Sequence, residues 1–183
     1  MMTYKDLTII ITTFKSEQKI RECLSSIDPQ INIILIENSS SIEFKKDIES
    51  NFSNVSCELT NDNLGYGKAN NIGLKKVKTK YALILNPDTV LSSNTLELFF
   101  EFIKTNEDFT ILGPNQNEKL STLDNHKKGE IEFFETDKIK GYAMFLNMEK
   151  LKSVGFYDEN IFLYLEEIDL CKRVKDANGK ILI

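Results

Sequence analysis

The feature that most constrains this chain is a rhythm. Short, β-branched, almost continuously apolar runs alternate with stretches of helical periodicity. Residues 7–11 read Leu-Thr-Ile-Ile-Ile, the pattern of a strand buried on both faces of a parallel sheet. Ile20, Cys23, Leu24 and Ile27 then recur at helical spacing, with Ser16 as the expected N-cap and Pro29 as the stop. Residues 31–36 form a second apolar run, and Ser40 with Glu43 has the capping-box spacing ahead of a helix that carries Phe44, Ile48 and Phe52. Residues 55–59 alternate apolar and polar, as an outer strand does. A helix over 67–77 with Ala69, Ile72 and Val77 inward precedes a buried strand over 81–85. From Ser93, Leu96, Phe99, Phe100 and Ile103 make one apolar helical face, and residues 110–112 form a short strand ended by Gly113-Pro114. Strand and helix thus alternate four times within 114 residues, which predicts an open, doubly wound α/β sheet, mostly parallel and flanked by helices.

The rhythm changes after Pro114. Residues 115–130 are polar and aperiodic, a loop. Two close apolar runs, 131–134 and 142–146, predict a smaller antiparallel or edge element. A short helix over 148–154 ends at Gly155, a longer one over 166–177 stops at Asn178-Gly179, and residues 181–183 begin another strand. No repeat or linker interrupts the chain, so residues 1–183 are expected to form a single domain.

The net charge of −5 offers no overall basic face for nucleic acid. Three widely spaced cysteines without a CxxC pair read as reduced thiols, which points to the cytoplasm. No apolar stretch reaches the ~20 residues of a membrane span. The expected location is therefore cytoplasmic, with peripheral contact at the inner membrane face left open. The lone histidine, His126, falls in the polar loop and is expected to be exposed. That excludes Ser-His-Asp and Cys-His chemistry.

In open α/β sheets ligands sit beyond the carboxyl ends of the strands. Thr12-Thr13-Phe14 follows the first strand and suits a nucleoside pocket, or equally a polar turn. Glu37 and Asn38 follow the second. A carboxylate there can accept from a base N–H or a ribose hydroxyl, and Glu37 lies before the cap, so capping does not account for it. Asn63, Gly67, Lys68 and Asn70 belong to a glycine-rich helix entry that favours phosphate, though many such turns bind nothing. Asn86-Pro87-Asp88-Thr89 puts a carboxylate at a strand end, where it can join a divalent ion held mainly by diphosphate and water. As a bare tetrapeptide it is more often a turn. Glu166, Glu167 and Asp169 crowd the start of a helix. They can serve the helix dipole, and Asp169 can pair with Arg173. Phe162 to Leu165 just upstream are apolar, and an apolar surround would raise a carboxylate toward general-base strength.

Taken in order, residues 7–14, 33–40, 61–73, 83–89, 141–146, 155–159 and 162–173 resemble the inverting glycosyltransferases of family two, which have the GT-A fold. The Asn-Pro-Asp-Thr form is similar to that of the rhamnosyltransferase-like branch. The resemblance divides the domain into a nucleotide-binding half, 1–114, and an acceptor-side half, 131–183. It implies that Asp88 holds a Mg²⁺ or Mn²⁺ ion and that Glu167 is the catalytic base, with Glu166 and Asp169 in support. Thr13, Phe14, Glu37, Asn38, Asn63, Gly67, Asn70 and Asn86 would line or hold the donor. The implied donor is a nucleoside-diphosphate sugar of deoxythymidine or uridine type. The implied acceptor is a glycan or lipid-linked hydroxyl of a cell-surface polysaccharide, and a homodimer is compatible with the reading. Glu stands at 167 and at 37 where the family usually has Asp, which at 167 extends the carboxylate by one methylene. The family's metal-binding His lies beyond this motif, and the chain ends before such a position, which leaves a donor-binding module of low turnover as the main rival. A sugar nucleotidyltransferase is disfavoured because Thr12-Thr13-Phe14-Lys15 is not its glycine-rich, basic phosphate loop.

Overall fold

The structure, a computed structural model, describes residues 3–114 and 133–183. The expected polar loop over 115–130, His126 within it and the start of the 131–134 run lie outside the described residues. A seven-stranded sheet runs in the order β3-β2-β1-β4-β6-β5-β7. Its strands are β1 (Leu7–Thr13), β2 (Asn32–Glu37), β3 (Val55–Leu59), β4 (Tyr81–Leu85), β5 (Ile111–Leu112), β6 (Ala143–Asn147) and β7 (Ile181–Leu182). β3, β2, β1 and β4 are parallel, β6 runs antiparallel to β4 and to β5, and β7 pairs parallel with β5. The mostly parallel α/β sheet and its smaller antiparallel element are as the patterning predicts. The run before β6 is only partly seen: Phe134 exchanges backbone hydrogen bonds with Ile183, and Glu135 bridges Leu182.

All seven residues of β1 are buried, which is why that run is apolar almost throughout. Leu7, Ile9 and Ile11 face one core with α1 (Ile20–Ser25), α2 (Ile42–Asn51) and α4 (Thr95–Thr105). Ile10 faces the other, with α3 (Tyr66–Lys76), α5 (Met148–Val154) and α6 (Glu166–Asp176). Helices on both faces make the sheet doubly wound.

Three helix starts differ from expectation. Ser16 caps nothing: its hydroxyl donates to Phe14 O at 3.1 Å, and its carbonyl accepts from Lys19 and Ile20 N–H in a turn before α1. Lys15, at φ 52°, bends the chain out of β1 into that turn. The cap of α2 is Ser41, not Ser40; its Oγ accepts from Phe44 N–H at 3.3 Å, so Glu43 sits one position short of a capping box. α4 begins at Thr95 rather than Ser93. In α3, Ile72 is half-buried while Asn70, Asn71 and Gly73 face inward, a polar and small-residue interface that apolar periodicity misplaces. Among the described residues no helix is long and apolar enough to cross a membrane.

Candidate active site

A cavity of about 710 Å³ opens beyond the carboxyl ends of β1, β2 and β4. Its wall includes Phe14, Asn38, Asn63, Asn86 and Asp88, with Thr12 and Pro87. The volume suits a small organic ligand. Thr13, Glu37, Gly67 and Asn70 do not reach the wall, a correction to the expectation that Gly67 and Asn70 line it. All four are buried behind it. A methyl group on Gly67 would come 3.1 Å from Tyr157 Cβ and 3.5 Å from Glu166 Cβ, so this glycine serves close packing. Asn70 donates to Tyr66 O at 3.0 Å, and its Oδ1 is buried without a partner among the described residues.

Asn38 braces the neighbouring loop. Its Nδ2 donates to Asn63 Oδ1 at 2.9 Å, and its Oδ1 accepts from Leu64 N–H at 3.0 Å and from the Thr60 hydroxyl at 3.2 Å. Both ends of the amide are thereby engaged. Glu37 pairs in register with Thr13 across the parallel ladder and accepts a short hydrogen bond from the Ser39 hydroxyl. Burial pushes its carboxyl up, the Ser39 bond opposes that, and the charge of Glu17 adds to it.

Asp88 sits within a turn closed by Thr89 N–H donating to Asn86 O at 3.1 Å. Its side chain is about half exposed, and Lys19 Nζ lies 3.7 Å from its Oδ2. Lys15 also lines the cavity. With Glu17 between them, these lysines make a charged wall of mixed sign that the apolar pattern concealed, because residues 16–19 read as the first turn of a helix. Among the described residues no three His, Cys, Asp or Glu side chains gather as a metal cage. One exposed carboxylate in an oxygen-lined cavity still fits a hard divalent ion that takes its other ligands from phosphate and water.

The acids of α6 sort into three environments. Glu166 is buried, its Oε2 unpartnered among the described residues. Burial raises its carboxyl, and the charge of Glu167 adds to that. Glu167 is half-buried against Gly141, where an added methyl would lie 3.5 Å from Glu167 Cβ. Asp169 holds Arg173 at 2.8 Å, and Arg173 Nη2 donates to Phe156 O at 2.6 Å. Asp169 therefore ties α6 to the segment after α5. Phe162, Leu163, Tyr164 and Leu165 are all exposed, so the apolar surround expected for Glu167 does not form. Tyr164 and Leu165 both have positive φ, and that kink turns the apolar run outward immediately before α6.

Tyr66, Phe162 and Leu163 are cavity residues that the sequence reading passed over. Asn71 is another missed contributor. It donates to Tyr157 O at 2.9 Å and accepts from Tyr157 N–H at 3.0 Å, fixing the segment after α5 to α3.

The chain matches Glycosyl transferase family 2 over residues 8–169. It is 24% identical over 195 residues to the low-salt glycan biosynthesis hexosyltransferase Agl10 of Haloferax volcanii, covering 94% of this chain and 62% of that protein. It is 24% identical over 208 residues to the rhamnosyltransferase WbbL of Escherichia coli K12, covering 94% of this chain and 78% of that one. Among solved structures, the mannosyltransferase PcManGT of Pyrobaculum calidifontis, in complex with GDP-Man and Mn²⁺, superposes with a TM-score of 0.75 at 11% identity over 96% of this chain and 53% of its own. The S. aureus TarS fragment 1–349 does so with a TM-score of 0.73 at 16% identity, over 96% and 57%. The chain thus spans little more than half the length of these structures, and 62% of the hexosyltransferase. The fold is that of the GT-A enzymes. With the family match running from β1 into α6, the chain belongs to glycosyl transferase family 2.

Proposed function

We propose that this domain transfers a sugar from a nucleoside-diphosphate sugar to a hydroxyl of a glycan or lipid-linked acceptor, by single displacement with inversion. The observation that carries the reading is the cavity itself. It joins a strand-end carboxylate, Asp88, to the cations Lys15 and Lys19, with Glu167 beyond its rim on the first turn of α6.

In this mechanism the nucleoside packs by Phe14 and Thr12, and the diphosphate faces Lys15, Lys19 and Asn86. Asp88 would hold a Mg²⁺ or Mn²⁺ ion, which when bound offsets charge on the departing nucleotide. Mn²⁺ in the Pyrobaculum mannosyltransferase complex supports a divalent cation here. Glu167 takes the proton of the acceptor hydroxyl as its oxygen bonds to the anomeric carbon. The bond from that carbon to the diphosphate oxygen breaks on the opposite face, and the electron pair leaves with the nucleoside diphosphate. A positioned base contributes about 10²–10⁴ in rate.

Two measurements test this. UDP with Mn²⁺ should raise the melting temperature beyond either component alone, and UDP, GDP and dTDP that all leave it unmoved would refute donor binding. Glu167→Gln should lower turnover by about 10²–10⁴ with donor affinity retained; near-normal transfer would remove Glu167 from the role.

A further inference from the structure

Tyr66 joins the three segments that meet at the cavity. As the first residue of α3, it donates its backbone N–H to Phe162 O at 3.0 Å. Its hydroxyl lies 2.8 Å from Asn86 Oδ1 and 3.1 Å from Gly141 O. Asn86 directly follows β4 and lies two residues before Asp88, and Gly141 is the glycine against which Glu167 packs. The ring is held edge-on to Tyr157, centroids 6.3 Å apart. One phenol thus touches the strand end that carries the donor-side carboxylate and the turn that supports the acceptor-side one.

Burial raises this phenol above its ordinary range, and the charges of Glu166, Glu167 and Asp88 push it the same way. The hydroxyl therefore keeps its proton, and it has one to give. Donated to Asn86 Oδ1, the nearer acceptor, it fixes which end of that amide points where. Asn86 lines the cavity, and with its Oδ1 held by the Tyr66 hydroxyl, Nδ2 is the end of the amide left to meet a ligand. An amide nitrogen facing the cavity is a donor suited to phosphate or sugar oxygen, whereas the flipped amide would present a lone pair to an anion.

We propose that Tyr66 is a positioning residue for donor binding: its hydroxyl, donating to Asn86 Oδ1, holds that amide with Nδ2 toward the donor. The proposal rests on the donor-site reading above.

The test is a double-mutant cycle on the whole chain, with UDP and Mn²⁺ as the probe and calorimetric affinity as the readout. Tyr66→Phe keeps the ring and its packing on Tyr157 and removes only the hydroxyl, so a mere packing role predicts no change. The expected result is UDP affinity lower by about tenfold, the worth of a hydrogen bond whose loss leaves its partner unsatisfied. Tyr66→Phe added to Asn86→Ala should cost nothing further, because the two act as one unit. Tyr66→Phe within twofold of wild type overturns the proposal, and so do losses that simply multiply in the double variant. Wild-type protein that does not bind UDP, GDP or dTDP overturns the donor-site reading beneath it. If Tyr66→Phe does not fold, the inverse comparison decides: Asn86→Asp keeps Oδ1 for the Tyr66 hydroxyl but replaces Nδ2 by oxygen. It should lose metal-free UDP affinity by about tenfold or more; unchanged metal-free affinity overturns the proposal.

Discussion

Gly65 carries a prediction whose size follows from geometry. It precedes α3 at φ 81°, ψ 169°, a region that side-chain-bearing residues enter at a cost of about 2 kcal/mol. A methyl group there would lie 2.1 Å from Phe162 O and 2.9 Å from Phe162 C, so the backbone at 162 must retreat. Retreat breaks the bond from Tyr66 N–H to that oxygen, about 1 kcal/mol, and the forced repacking adds about as much again. Gly65→Ala should therefore lose about 4 kcal/mol, roughly 8–16 °C in melting temperature for a domain of this size. Gly155 is the control. Its φ of 93° and ψ of 167° lie in the same region, but its added methyl would meet only Arg173 Nη1 at 3.7 Å, an ordinary contact. Gly155→Ala should lose only the conformational part, about 2 kcal/mol or roughly 4–8 °C. Calorimetric melting of both variants, with and without UDP and Mn²⁺, gives the comparison. Because Phe162 and Tyr66 line the cavity, Gly65→Ala should also lose its stabilisation by UDP, and Gly155→Ala should keep it. Equal melting losses for the two variants would refute the close approach of Phe162 to Gly65.

Glu166 should make stability depend on pH. Its folded carboxyl is raised chiefly by burial, so its contribution is full below about pH 4.3, the unfolded value, and is lost as pH rises through the folded one. Glu166→Gln removes that titration, and its melting temperature relative to wild type should climb from about pH 4.3 toward neutrality; an offset flat with pH would contradict the burial. Lys19→Met should weaken UDP binding about three- to tenfold at low salt and less at high salt, while leaving uridine unaffected, since in the proposed mechanism the exposed ammonium beside Asp88 faces the diphosphate. Asp88→Asn should abolish the Mn²⁺-dependent part of UDP stabilisation in a melting assay; an undiminished Mn²⁺ effect would place the ion elsewhere.

The strands were legible because burial on both faces writes itself as runs dominated by Leu and Ile. β1, β2 and β4 fall where the apolar runs lie. Strand order was not legible. β6 enters antiparallel between β4 and β5, and nothing in the Ala-Met-Phe-Leu run states its neighbours. Asp88 could be placed because a proline after a buried strand marks where the ladder ends. Asn70 misled for the converse reason: its amide points inward and donates to Tyr66 O, so a polar residue read as a ligand contact is an internal brace, and Asn71, which was passed over, braces the Tyr157 backbone in the same way. The contrast between Glu166 and Glu167 was beyond reach, since adjacent residues on a helix first turn differ only in which way the turn faces.

The places where local rules fail are not scattered. Ser16 should cap α1 and does not, and the turn it enters, residues 15–19, lines the cavity with two lysines. Leu165 occupies the cap position of α6 with positive φ and no side-chain bond, directly before Glu166 and Glu167. Tyr164 beside it has positive φ as well, and two such non-glycine residues together cost about 1–3 kcal/mol each. A better-capped, shorter connection would start both helices sooner. It would also fill the mouth of the cavity at residues 15–19 and move the acids of α6 out of reach of Gly141. The local cost holds two lysines in the cavity wall and sets Glu167 against Gly141 beyond its rim. A capping serine or aspartate at position 165 should stabilise the fold and, in a transfer assay beside a UDP-binding measurement, reduce transfer rather than donor affinity.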